Sequence, residues 1–144
     1  MKKIFFIPLF FLLISFVISD PTITEEERKK GIAYFKETQK ALANEIKGLS
    51  ETQLNWKPAD TVWSAAGCVE HIAISEKNLF DWYSGIMKAP ATPEKRSEVK
   101  MADDMIKGML TNRSFKVKTR EGFYPTGLPA SQSLALFNER RDAL

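Results

Sequence analysis

The sequence predicts an all-α protein, a bundle of helices held together by side-chain packing, and three observations support this prediction. Apolar residues recur at helical spacing in three separate stretches. Helix start signals precede these stretches, and Gly or Pro residues lie between them. The single cysteine, Cys68, excludes an internal disulfide framework, so packing alone must hold the core.

The first residues are predicted to be an export signal and not a part of the fold. Two lysines precede the uncharged run Ile4 to Ile18, which is shorter than the roughly 20 residues of a membrane-spanning helix. Small residues permit cleavage before Asp20. We therefore expect a signal peptide at residues 1–19 and one domain at residues 20–144. The protein should be periplasmic or secreted, and it should meet the membrane only through the export signal.

The charge of the chain argues against a nucleic-acid partner. The formal net charge is +3, and the two lysines of the leader supply most of it. The other Lys and Arg residues are interspersed with Asp and Glu, so they form no basic face.

The first long helix is expected at about residues 25–48. Thr24 and the acidic residues after it form a capping box, and Gly48 and Ser50 close the segment. The connector at residues 50–62 should bring Leu54 and Trp56 to the core. The apolar stripe of this helix consists of Ile32, Phe35, Leu42, Ile46 and Leu49.

The second long helix should begin after Ser64, its predicted N-cap. Its apolar arc is wide, so we expect it to contact two neighbours as the central element of the bundle. At 100° per residue, its apolar face consists of Cys68, Ile72, Leu79, Tyr83 and Ile86. The opposite face consists of Glu70, Lys77, Asp81 and Ser84.

The rest of the chain predicts a short helix at residues 102–112, a surface connection at 113–130 with a brief extended piece at 116–119, and a third long helix capped by Ser131. The helical pattern runs to Leu144 without a stop signal, which predicts a further long helix beyond it. Without that further helix the apolar face of the third long helix has no partner, so we expect the 144-residue chain to have low stability. Homodimer formation through this uncovered face is left open. The third helix carries Leu134, Phe137, Arg141 and Leu144.

His71 is the only histidine, and it lies at the edge of the apolar face of the second helix, on a strip with Ser75, Asn78 and Trp82. A neutral imidazole there can bind a divalent metal or relay protons. From spacing alone, a half-buried histidine bonded to a neighbour is favoured, because a metal site needs at least two more ligands. Cys68 could form a nucleophilic pair with His71, but a buried structural cysteine is the simpler interpretation.

The three tryptophans, Trp56, Trp63 and Trp82, could line an aromatic ligand pocket, but large aromatics at helix starts and on apolar faces more often belong to the core. GxSxG, phosphate-loop and HExxH motifs are absent from the sequence. The residues alone therefore leave the function open.

Several weak motifs occur in a fixed order over about residues 25–144. They are the turn Gly48-Leu49-Ser50, Gln53-Leu54, Trp56-Lys57-Pro58, Trp63-Ser64 before His71, the run Met105 to Arg113, Tyr124-Pro125, and Phe137-x-x-x-Arg141. In this order they resemble the DinB-like family. The resemblance implies an up-down four-helix bundle with a pocket at one end, where three histidines hold a divalent metal, often zinc or nickel.

His71 matches the first of these histidines, and the resemblance places the other two as an H-x-x-x-H pair on a fourth long helix that this sequence lacks. It implies a metal-dependent hydrolase or transferase of an unknown small-molecule substrate. We therefore predict His71 as a metal ligand and Ser75, Asn78 and Trp82 as pocket-lining residues, in a bundle that is incomplete and inactive as given. The alternative is a non-catalytic helical module of the cell envelope that binds a ligand or a partner.

Overall fold

The computed structural model describes residues 23–114 and 116–143, and the regular elements in these ranges are all helices. The predicted all-α class is therefore confirmed. The predicted signal peptide and Leu144 lie outside the described residues. Within the described ranges, none of the helices has both the length and the apolar character needed to cross a membrane. The helices are α1 (Glu25–Ile46), α2 (Glu51–Asn55), α3 (Ala65–Ile86), a 3-10 helix (Pro93–Glu98), α4 (Asp103–Thr111) and α5 (Ala130–Asp142).

Helix α1 begins as the sequence predicts. The Glu27 N–H donates to Thr24 Oγ1 at 3.1 Å, and the Thr24 N–H donates to the Glu27 carboxylate at 2.7 Å, which completes the capping box. Beyond that cap the helix is loosely covered: it has no buried residue, and Ile32 and Phe35 are 46% and 42% exposed. The predicted apolar stripe is therefore only partly covered in the described chain.

The connector holds a short helix, α2, whose N-cap Ser50 accepts from the Gln53 N–H. Leu54 packs in the core beside Ala66 and Ala130, as predicted. Trp56 is 66% exposed, so its prediction as a core residue is wrong. The chain leaves α2 at Trp56 with extended backbone, so Trp56 does not continue the helix whose Leu54 packs in the core.

Helix α3 begins after Ser64, whose hydroxyl accepts from the Gly67 N–H at 3.1 Å, so the predicted cap is confirmed. Its neighbours are α5 and α2, in agreement with its predicted central position. Its orientation differs from the prediction. The buried residues are Ala66, Val69, Glu70 and Ala73, whereas Cys68, Leu79, Tyr83 and Ile86 of the predicted core face are exposed.

The small side chains explain why α3 presents this face to α5. Ala66 and Ala73 meet a helix whose own buried positions include Ala130 and Ser133, and small residues let two helices approach closely. The prediction that Glu70 faces solvent is therefore wrong. The predictions of a buried Cys68 and of an apolar core face around it are wrong for the same reason.

Helix α5 begins one residue before the predicted cap, with Pro129 at the N-cap position and no side-chain cap, so the role given to Ser131 is wrong. Phe137 is 1% exposed, because α5 packs on both α3 and α1. The prediction that the third long helix lacks a covering partner is therefore wrong at Phe137, whereas α3 presents an uncovered apolar face with Leu79, Tyr83 and Ile86.

The guanidinium of Arg141 joins three helices at the far end of α5. Its Nε lies 2.7 Å from Glu76 Oε1 on α3, as an ion pair without an aligned hydrogen bond. Its Nη1 donates to Thr38 Oγ1 of α1 at 3.0 Å.

The predicted short helix is confirmed as α4, and Lys107 on it lies 4.7 Å from the ring centre of Tyr34. Residues 116–119 form no strand.

Candidate functional site

The candidate site lies where residues 122–128, called here the crossing loop, run along α3. The loop passes close to the start of the helix, since a Cβ placed on Gly67 would lie 3.7 Å from the Pro125 ring. Gly122 and Gly127 have φ values of +81° and +101°, which favour glycine and let the loop turn at both ends.

His71 is half-buried, and the crossing loop holds one of its two ring nitrogens. Nδ1 lies 2.7 Å from the backbone oxygen of Phe123. A carbonyl can only accept, so Nδ1 must carry the hydrogen in this contact. In the neutral ring Nε2 then keeps its lone pair. The indole of Trp63 packs against the imidazole with ring centres 4.9 Å apart, which further limits rotation of the ring.

Of the other predicted site residues, Asn78 is placed with His71 and Trp82 is not. The Asn78 side-chain amide donates to the Gly122 carbonyl at 3.2 Å, so Asn78 and His71 hold neighbouring carbonyls of one loop. Ser75 is half-buried one turn after His71. Trp82 is 59% exposed and packs on Tyr83 with ring centres 5.0 Å apart.

Glu70 is the residue of this region that sequence reasoning missed. It is 1% exposed, and its carboxylate accepts four hydrogen bonds from three consecutive loop residues. Oε1 accepts from the Thr126 N–H at 2.7 Å and from its hydroxyl at 2.6 Å. Oε2 accepts from the N–H groups of Gly127 and Leu128 at 2.9 and 3.1 Å. The available signal was a single acidic residue among small apolar neighbours in the run from Ala65 to Ala73.

The charge state of Glu70 is set by these contacts. Burial raises the pKa of its carboxyl, but the hydrogen bonds from the loop outweigh burial and bring the pKa below its ordinary value of 4.5. Glu70 is therefore ionised at neutral pH, and the loop N–H groups provide the positive ends of dipoles that its charge requires.

A small cavity of about 160 Å³ lies beside this carboxylate, between the start of α3 and the crossing loop. Trp63, Glu70 and Leu128 form part of its wall, and Tyr124 meets the Trp63 ring edge-on at 6.2 Å. The cavity is mixed in character, because Asn55 and Lys57 line it together with apolar atoms.

Within residues 23–114 and 116–143, no three His, Cys, Asp or Glu side chains are grouped so that they could hold a metal ion. His71 is the single imidazole there, and Cys68 is exposed on the uncovered face of α3. The described residues therefore contain one imidazole but no complete metal centre.

Comparison with known proteins identifies the family of the chain. No curated protein and no solved structure matches the sequence significantly. A family model described as the DinB superfamily matches residues 34–144, which include α3, the crossing loop and α5. This match agrees with the all-helical architecture and with the family that the ordered motifs resemble. The chain belongs to the DinB superfamily.

Proposed function

We propose that this chain is the helical domain of an exported, divalent-metal-dependent hydrolase or transferase, in which His71 provides one metal ligand through Nε2. The observation that carries the proposal is the contact between His71 Nδ1 and the Phe123 carbonyl. Metal-binding histidines commonly donate their second ring N–H to a carbonyl or a carboxylate, which fixes the tautomer and the direction of the ligand nitrogen. Zinc and nickel both accept imidazole nitrogen, so they are the metals to test first.

The described residues do not fit a metal by themselves, because a stable site needs at least three protein ligands and His71 is one. We propose that the others are an H-x-x-x-H pair on a helix located after residue 144. Residues at i and i+4 share one face of a helix, so such a pair can meet a single ion. The exposed face of α3, with Leu79 and Ile86, is a surface on which this helix could pack.

In this proposal each described residue has a limited task. The imidazole of His71 binds the metal, and Asn78 holds the crossing loop at Gly122. Ser75 and Trp82 line the substrate pocket beside the exposed face of α3. When bound, a divalent metal would supply Lewis acidity and lower the pKa of a water or thiol nucleophile. The substrate would be a small molecule. We expect the 144-residue chain alone to bind metal weakly and to be inactive.

The test is metal analysis of the protein that is expressed from its natural reading frame, including any sequence after residue 144. Zinc and nickel content should be near one ion per chain, and His71→Ala should lose most of it. Lys77→Ala is the matched control, since Lys77 lies on the same helix and pairs with Asp81 at the surface. Equal metal content in the His71→Ala and unsubstituted proteins would reject His71 as a ligand.

The second candidate function is a non-catalytic envelope module that binds a ligand or a partner helix, with His71 in a structural role. It is favoured by the lack of a three-ligand cluster in the described part of the chain. The two candidates predict different sequences after residue 144. A continuation without histidines, together with metal-free protein, would support the binding module.

Export is part of the proposal and has its own test. After expression with the leader, intact-mass measurement of the periplasmic or secreted fraction should show a chain that begins at Asp20. A full-length chain confined to the cytoplasm would contradict it.

A further inference from the structure

The crossing loop is anchored to α3 at both of its ends. At its beginning, the carbonyls of Gly122 and Phe123 accept from the side chains of Asn78 and His71. At its end, residues 126–128 donate to the carboxylate of Glu70. The loop therefore runs along the helix, and three residues of α3 hold it at its two ends.

The Glu70 anchor is the stronger of the two. It contains four hydrogen bonds to an ionised and buried carboxylate, and such bonds are about twice as strong as bonds between neutral groups. All of the donors come from three consecutive residues, so the carboxylate fixes the backbone there and not merely one side chain. Thr126 is only three residues from Phe123, so this anchor limits where the Phe123 carbonyl can lie.

We infer that Glu70 is a positioning residue for His71. Its carboxylate clamps the crossing loop so that the Phe123 carbonyl keeps the imidazole in the form that has hydrogen on Nδ1 and a bare Nε2. The carboxylate acts through the loop. It makes no proposed contact with a ligand. The tautomer depends only on the geometry of the loop and the imidazole, whereas the benefit of a bare Nε2 for ligand binding rests on the proposed function.

The single histidine makes this inference directly measurable. Long-range ¹H–¹⁵N spectra of ¹⁵N-labelled protein report one imidazole, and they distinguish hydrogen on Nδ1 from hydrogen on Nε2. The spectra are recorded at rising pH until they no longer change, so that they report the neutral ring. We expect the folded protein to show mainly the Nδ1–H form. The same chain unfolded in urea gives the reference ratio of the two forms.

Glu70→Gln should move the tautomer ratio toward that of the unfolded chain, with the Nδ1–H fraction falling about two-fold or more as the carbonyl loses its fixed position. Glu76→Gln is the matched control. It removes a half-buried carboxylate from the same helix, but Glu76 pairs with Arg141 and not with the crossing loop. Its tautomer ratio should equal that of the unsubstituted protein.

A milder variant keeps the test decisive if Glu70→Gln does not fold. Thr126→Val removes only the hydroxyl donor at 2.6 Å and leaves α3 intact, so it should fold and shift the ratio in the same direction by less. Circular dichroism verifies that each variant retains its helices. An unchanged Nδ1–H fraction in a folded Glu70→Gln protein, or in Thr126→Val if that is the one that folds, would overturn the inference. Metal content plays no part in this measurement, so failure of the metal proposal leaves its result unaffected.

Discussion

Replacing Glu70 with Gln should lower the free energy of unfolding at neutral pH, and the contacts give the size of the loss. The substituted side chain keeps the shape but exchanges one acceptor oxygen for an NH₂ group. Its nitrogen should turn toward Thr126, because the Thr126 hydroxyl can rotate to accept whereas the N–H groups of Gly127 and Leu128 cannot. The Thr126 N–H then loses its partner.

Each buried donor without a partner costs about 1–3 kcal/mol, and the remaining bonds lose their ionic character. The Thr126 N–H is only partly buried, so water can replace some of its lost bond. We therefore expect a total loss of about 2–3 kcal/mol near pH 7. Urea unfolding followed by circular dichroism measures it, with the exposed Glu37→Gln as a control that should change stability by less than about 0.5 kcal/mol.

The difference between the two proteins should depend on pH in a defined direction. The folded-state pKa of Glu70 lies below 4.5, so its contribution is complete above that value and disappears as the pH falls through the folded-state pKa. Protonated Glu70 carries an O–H donor and resembles the amide, so the two proteins should become about equally stable in acid. A stability difference that is absent near neutral pH, or that is the same from neutral to acidic pH, would refute the hydrogen-bond reasoning.

Three further predictions concern packing and exposure. Phe137→Ala should lower the free energy of unfolding in urea by about 3 kcal/mol or more, because Phe137 is 1% exposed. Leu136→Ala should lower it by less than about 1 kcal/mol, because Leu136 is 44% exposed. Similar losses for both variants would contradict the assigned faces of α5. A double-mutant cycle with Arg141→Met and Glu76→Gln should give a coupling of about 1–2 kcal/mol, since both side chains are 13% exposed, and zero coupling would mean that the pair contributes nothing. In the 144-residue chain, Cys68 should react with a thiol reagent nearly as fast as it does in urea, and strong protection would show that its face of α3 is covered.

The positions of the helices could be predicted because the signals that set them are local. Thr24 and Ser64 each cap a helix through bonds to residues three positions later, and such bonds depend on little beyond the nearby sequence. Gly48, which the sequence predicts to close the first helix, directly follows the C-cap residue Lys47 and has a φ of +80°. The start of α5 lacked such a signal, which is why Ser131 was assigned wrongly.

The orientation of α3 could not be predicted because it depends on distant residues. A helical wheel based on apolar residues places Glu70 in solvent and Cys68 in the core. It cannot include hydrogen-bond donors that lie more than fifty positions later in the chain. The crossing loop compensates the charge of Glu70, and Ala66 and Ala73 offer α5 a close approach that larger apolar side chains would prevent. Tertiary hydrogen bonding therefore outweighs apolar periodicity along this helix.

The location of His71 on α3 limits the directions from which another group can reach it. On one side are Glu70 and the α5 interface, both buried, and Phe123 of the crossing loop holds Nδ1. The residues beyond it on the other side, such as Leu79, are exposed. Under the proposed function, we therefore expect a ligand of Nε2 to approach over the face that α5 leaves uncovered. The crossing loop and the Trp63 ring already restrict the rotation of the imidazole. Binding of that ligand would therefore cost little additional side-chain entropy at His71.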